Sequence, residues 1–510
     1  MKKSLLALLM ATTCSLAGCN MGGGGDPTSS PTTSPTSAPT SSPTSQPTSE
    51  PTSEPTSSPT TGEPTSEPTS EPTSSPTTGE PTSEPTSAPT SAPTSAPTSD
   101  PTSDPSTSGE AKQVNLTVRF HVDSKSTEGT AYKKVIDAFN KDYSKYKIKA
   151  TASFVARTQG DSAYELELMK DKLNGTLPDV ITFDSPNCAA YANDEIIWDL
   201  SSSFTAEEKD KYITINSYEG KMYGIPIQES SAGFYYNKNL FNQAGIDVSG
   251  ISVDNPWTYS EFTTACKKLL NKGITPVDMR MDATKDETAT YLLYPFIYAS
   301  GGSFVDETGY QALGYFNSDA SKRGFQFLRD LVKDGYTSYG IGATDFHTGK
   351  VGMYLSSGWT IPELDHNFPT TFPNRDSWGL LPYPKDVKAA SANGSWSYAI
   401  GDNGKADNKP AAVTLLKYLA NAQSSKTVTD ATGMIPANKD VETSYAAGSP
   451  EDVLIQQLYK TGVARPTTVG YPQFSIYFRQ VIAKLGGDTN LSTLVDNNAR
   501  ALQNELDDII

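Results

Sequence analysis

Histidine is almost missing from this chain: His121, His347 and His366 are the three present in 510 residues. Their spacing has nothing of the HExxH pattern that seats zinc on one helix face, so a zinc peptidase of that type is excluded. Cysteine is nearly as scarce, and two of the four, Cys14 and Cys19, fall near the start of the chain. Cys188 and Cys266 remain, at a separation that fits neither a metal site nor a redox pair. Both are expected to be buried thiols, and the sequence leaves a disulfide between them open. No GxSxG elbow and no GxxxxGK[ST] phosphate loop occurs, which removes two common catalytic platforms. No cofactor or metal is expected.

Basic residues are absent from positions 26–110, which hold eleven acids. Setting these aside, together with Lys2 and Lys3, reduces the net charge from −17 to −8 for residues 111–510. A mildly acidic remainder argues against nucleic acid or an anionic lipid surface as partner, since both require a basic face.

Core-forming side chains are also missing between Pro27 and Ser108, where the sequence is almost wholly Pro, Thr and Ser. Such a segment has no apolar burial to offset the entropy of ordering, so a disordered linker is expected. The unit "PTSSPTTGEPTSEPTS" occurs twice, from Pro55 and from Pro72. Its Pro-Thr-Ser-x tetrad is too short a period for a solenoid. Proline at that frequency biases the tract to polyproline II, with a reach between roughly 50 Å as a coil and about 250 Å fully extended.

What precedes the linker reads as an export signal. Lys2 and Lys3 form a positive start, and Leu5–Ala11 is an apolar run too short to span a bilayer. Leu16-Ala17-Gly18-Cys19 resembles a bacterial lipobox, which implies residues 1–18 as signal peptide and Cys19 as the lipidated residue. Residues 19–112 would then tether a domain at 113–510 to the extracellular face of the cell membrane. Several acyl chains on one residue anchor stably where one does not.

Beyond the linker the pattern changes. Val114, Leu116, Val118 and Phe120 alternate with polar residues, as in a strand. Tyr132, Val135, Ile136 and Phe139 then fall on one helix face. Tyr146–Phe154 reads as strand, Asp161–Leu173 as helix and Val180–Phe183 as strand. This order predicts an α/β fold with a largely parallel sheet. Ligands in such folds sit beyond the carboxyl ends of strands, which singles out the loops after Phe120 and Phe183. Farther on, Thr258 and Glu261 make a capping box, with Phe262, Ala265, Cys266, Leu269 and Leu270 as the stripe of its helix.

Five stretches occur together: "YGIPIQESSAGFYYNKNLFNQAGI" from Tyr223, "FHTGKVGMYLSSGW" from Phe346, "WGLLPYP" from Trp378, "TGMIPANKDV" from Thr432 and "ARPTTVGYPQF" from Ala464. In this order they resemble the family 1 extracellular solute-binding proteins, the maltose-binding-protein-like, sugar-binding lipoproteins of ABC importers. The resemblance implies a two-lobed periplasmic-binding-protein-like fold with a hinge and an interlobe cleft. Lobe one would comprise 113–228 and 392–435, and lobe two 229–391 and 436–510. It also implies a monomer that closes on a small solute, most simply a carbohydrate, and delivers it to an ABC transporter permease.

Sugar binding takes aromatic plates for C–H faces and carboxylates or amides for hydroxyls. Trp359 matches a family position that lines the cleft, with core packing as its bland reading, and Gly358 lets the backbone approach closely. Trp396 sits at an expected lobe crossover. Trp198, Trp257 and Trp378 are expected in the interior. Asp184 follows a strand end, and Glu229 and Ser230 follow the first hinge crossing. Asp123 and Lys125 lie in the first loop. Arg465 and Tyr471 belong to the last motif, and Arg465 can equally be an interlobe salt bridge. A polyamine, peptide or phosphate-ester receptor, a surface glycosidase and a stalked adhesin are the alternative readings.

Overall fold

The computed structural model describes residues 113–157 and 163–509; the expected export signal, Cys19 and the Pro/Thr/Ser tract lie outside them. The strands are β1 Val114–Phe120, β2 Ile148–Phe154, β3 Val180–Asp184, β4 Asn216–Tyr218, β5 Lys221–Asn237 and β6 Thr275–Asp278. They continue as β7 Val351–Ser357, β8 Trp378–Leu381, β9 Ser391–Ile400, β10 Ile435–Pro436 and β11 Gly462–Ala464.

The expected local elements form for the expected reasons. Ser126 caps the helix Thr127–Asp142 by accepting from the Gly129 amide. Its predicted stripe of Tyr132, Val135, Ile136 and Phe139 is buried. The described part of the second helix is Ala163–Asn174, ending one residue beyond the expected Leu173. Strand β2 starts two residues later than the alternation implies. A 3-10 turn at Ser144–Tyr146, closed by Lys147 at φ 57°, occupies that stretch and leaves Tyr146 exposed. Thr258 and Glu261 form the reciprocal cap of the helix Tyr259–Leu270. Leu270 drops out of its stripe, being 42% exposed. Cys188 and Cys266 are both buried free thiols, and Cys266 lies inside an apolar cluster.

The sheet is mixed rather than largely parallel. Its order is β2-β1-β3-β9-β5-β7-β6. Strands β1 and β2, β1 and β3, and β6 and β7 run parallel. The pairs β3–β9, β9–β5 and β5–β7 are antiparallel. The reason is topological: β9 re-enters the first body from the second and runs opposite to the strand edge it covers.

Strands β5 and β9 join two bodies of apolar packing. On β5, Ile225–Ser231 pair with β9, while Ala232–Asn237 run between β7 and β8. Ile227 belongs to the apolar cluster built on β1–β3, and Ala232 to the one built around Phe262, Phe296 and Phe478. The same change occurs on β9 between Ala392 and Trp396. The seam is polar and small: Ser230 of β5 pairs across the ladder with Gly394 of β9. A third cluster, with Tyr235, Phe346 and Trp378, extends the second body.

Among the described residues, no helix is long and apolar enough to cross a membrane.

Candidate functional site

The carboxyl ends of β1 and β3 meet at the seam. His121 follows β1 directly, and Asp184 ends β3 opposite Trp396 in the antiparallel register with β9. From the second lobe come Glu287 and Tyr291, one turn apart on the helix Glu287–Ala299. Arg465 follows β11, and Tyr471 and Ser475 open the helix Tyr471–Ala483.

Arg465 organises these groups. It is 6% exposed and grips Asp184 with both terminal nitrogens, Nη1 donating to Oδ2 at 2.8 Å and Nη2 to Oδ1 at 2.6 Å. Nη1 also donates to Glu287 Oε1 at 2.8 Å and to the Tyr471 hydroxyl at 3.3 Å. Glu287 is completed by the Tyr471 hydroxyl on Oε1 and by Ser475 Oγ, 2.5 Å from Oε2. The guanidinium lies 5.4 Å from the ring centre of Tyr291 and 5.9 Å from that of Tyr471. Burial opposes its charge, but Asp184, Tyr471 and Glu287 outweigh burial and raise its pKa.

Aromatic surface lies on both sides. Trp359 is half-buried, with its ring 6.1 Å from that of Tyr291. The Tyr291 hydroxyl is 2.8 Å from Ser230 Oγ, which donates to the Gly394 carbonyl at 2.7 Å. Trp396 is buried, stacked on His121, with Tyr164 edge-on and the Arg157 guanidinium 5.1 Å from its ring centre. Half-buried Glu165 carries a carboxyl pushed up to about 7, chiefly by burial, with repulsion from Asp184 and Glu287 opposing attraction from Arg157.

The structure therefore brings Asp184, Arg465 and Tyr471 into one cluster, with Ser230 and Trp359 tied to it through Tyr291. Trp396 stands beside it across the ladder. Three other candidates take their hydrogen-bond partners outside this cluster. Adjacent strand residues face opposite ways, and Glu229 turns from Ser230 to accept from the Thr214 hydroxyl. Asp123 and Lys125 are exposed, the Lys125 amide donating to the Asp123 carboxylate in a turn before the first helix. Of the three tryptophans expected in the interior, Trp257 and Trp378 are buried, whereas Trp198 is only half-buried, beneath the Lys409 ammonium.

Sequence reading missed Glu287 and Tyr291. They stand at i, i+4 on one helix, but Thr288, Thr290, Tyr294 and Tyr298 share that helix, so the spacing does not single them out. It also missed His121, whose histidine identity alone says nothing of the indole beneath it. Among the described residues, no group of three or more His, Cys, Asp or Glu side chains is placed to hold a metal ion.

Residues 134–455 match the family model for the bacterial extracellular solute-binding protein. A binding protein of Brucella abortus is 24% identical over 49% of this chain and 57% of its own, so the match spans little more than half of that relative. The maltooligosaccharide ABC transporter solute-binding lipoprotein of Streptococcus pneumoniae is 24% identical over 68% of this chain and 77% of its own. The cyclic α-maltosyl-1,6-maltose binding protein of Arthrobacter globiformis shares the fold with a TM-score of 0.65 at 23% identity, covering 78% of this chain and 99% of that one. Together with the two-lobed architecture, the match across most of the described residues places this chain in the family of bacterial extracellular solute-binding proteins.

Proposed function

We propose that this protein is a carbohydrate receptor of an ABC importer. It closes its two lobes on a mono- or oligosaccharide and hands it to a membrane permease. The lobes are taken as 113–228 with 392–435, and 229–391 with 436–510. The observation that carries the reading is the placement of Trp359 and Tyr291 beside the hydrogen-bonded Asp184–Arg465–Glu287 cluster at the seam. A flat apolar plate next to a dense polar network is what a sugar ring requires, one for its C–H face and the other for its hydroxyl edge. Ligand that touches both lobes stabilises the closed state, and closure changes the surface offered to a permease.

Lipidation at Cys19 would hold the receptor at the membrane's outer face, and the Pro/Thr/Ser tract would give it reach. Replacing Cys19 by Ser should move the protein from the membrane fraction into the medium; retention would remove the anchor from this reading.

The decisive experiment is a thermal-shift screen of the chain against mono- and oligosaccharides, with polyamines and sugar phosphates alongside. A ligand at a hundredfold excess over its dissociation constant stabilises by about 2.7 kcal/mol. A shift with one glycan class, recovered intact, supports the receptor reading, and recovery of cleaved glycan replaces it with a hydrolase. A shift for polyamines alone moves the solute class. The proximity of Glu165, Asp184 and Glu287 to aromatic rings makes that arm worth running.

A further inference from the structure

Asp184 belongs to the first lobe's strand β3, whereas Arg465, Glu287 and Tyr471 come from elements packed in the second. The bidentate pair between Arg465 and Asp184 therefore ties one lobe to the other. Both Asp184 oxygens and both Glu287 oxygens already accept hydrogen bonds from protein groups. The guanidinium is thus seated in a box of two carboxylates and two phenol rings, built across the cleft and filled by the chain's own side chain.

We propose that Arg465 is an internal latch, whose ion pair with Asp184 holds the lobes together in the unliganded protein. Its energetics suit a device that must also release. Charge-assisted bidentate bonds are strong, but a buried ion pair loses much of that attraction to the desolvation of its charges. The Arg465 Nε, buried without a hydrogen-bond partner among the described residues, adds to that cost. The latch thus biases the closed state without fixing it, and solute selects from a closure the chain already samples. Removing the arginine is a different matter. It leaves Asp184 and Glu287 facing each other unpaired in a closed cleft, and opening returns both to water.

The test needs no solute, so it stands or falls apart from the carbohydrate reading. Hydrogen–deuterium exchange of the unliganded full chain is compared between the parent and Arg465→Ala. Peptides covering 183–191, 287–291 and 471–475 report the facing surfaces, and those covering 135–139 and 328–331 report the two lobe interiors. In the variant the facing peptides should exchange about tenfold faster or more, with the interior peptides unchanged. Millimolar guanidinium should refill the vacated box and restore protection, while equal sodium chloride should not. Parent-like exchange at the facing peptides would overturn the latch. So would equal acceleration of the interior peptides without rescue, which would make Arg465 a packing residue. If Arg465→Ala does not fold, Asp184→Asn removes the charge and keeps the shape. Faster exchange at the same facing peptides supports the latch, and a parent-like rate overturns it.

Discussion

The imidazole of His121 lies flat on the indole of Trp396, with ring centroids 3.4 Å apart and planes 6° from parallel. His121 Nδ1 is 3.1 Å from Thr182 Oγ1, and Nε2 is 3.4 Å from Glu128 Oε1. Burial, reinforced by the nearby Arg157 charge, holds this imidazole well below its ordinary pKa of 6.5. The plate beneath Trp396 is therefore a neutral ring at physiological pH.

Stability should register that neutrality. The unfolded chain takes up a proton at His121 below pH 6.5 while the folded chain refuses it, so folding weakens as pH falls through that value. A His121→Phe variant keeps a flat ring and cannot titrate. Its stability relative to the parent should rise by about 1.4 kcal/mol for each pH unit below 6.5, until the folded imidazole protonates. Urea unfolding between pH 4 and 8 reads the difference, and a pH-independent gap would mean that His121 titrates normally.

Glu229 should show the opposite slope. It is 1% exposed, and burial pushes its carboxyl up from 4.5 to about 7 despite the Thr214 hydroxyl bond. Between those values the folded chain keeps a proton that the unfolded chain has lost, so stability falls as pH rises and levels off above 7. Glu229→Gln should remove this loss and gain up to ~3 kcal/mol over the parent at pH 8. Little difference should remain at pH 4. Equal stability of the two proteins at both pH values would place Glu229 in contact with water.

The contrast between these two residues shows where sequence reading succeeds. Periodicity found the helix carrying Tyr132, Val135, Ile136 and Phe139, because those side chains answer to a local repeat. The Thr258–Glu261 cap was equally local. Asp184, Arg465 and Tyr471 were singled out one by one, but their meeting depends on β9 and β11 returning from a distant part of the chain. Nothing local says that β9 runs antiparallel to β3, so Trp396 could not be set beside Asp184. Glu229 and Ser230 are neighbours in sequence, yet the pleat sends them to opposite faces. Which of the two faces Tyr291 depends on register, and the alternation around them carries no mark of it.

Gly358 and Gly433 mark a close crossing of two backbones. A Cβ on Gly358 would lie 2.4 Å from the Gly433 carbonyl oxygen, and one on Gly433 would lie 2.5 Å from that of Gly358. Gly433 also ends its helix at φ +70°, a conformation that L side chains rarely adopt. Since the obstacle to Gly358→Ala is backbone, the two segments must separate, at a cost of roughly 1–3 kcal/mol. The shift would carry Trp359 with it. Gly358→Ala should therefore lower both the melting temperature and solute affinity. A variant with parent-like values for both would show that the crossing is loose.

The two tryptophans that follow this logic separate binding from folding. Trp359 is half-buried beside Tyr291, so truncating it removes a plate while most of the packing stays. Trp378 is 1% exposed and sits among Tyr235 and its neighbours in the third apolar cluster. Trp378→Ala should destabilise by about 3–5 kcal/mol, the cost of a large cavity in a packed interior. Trp359→Ala should leave unfolding cooperative and weaken solute binding by about 2 kcal/mol or more, as expected for an aromatic anchor. Calorimetry with the solute found in the screen distinguishes the two. Parent-like affinity in Trp359→Ala would move the binding surface away from the Tyr291 side of the seam, toward Trp396.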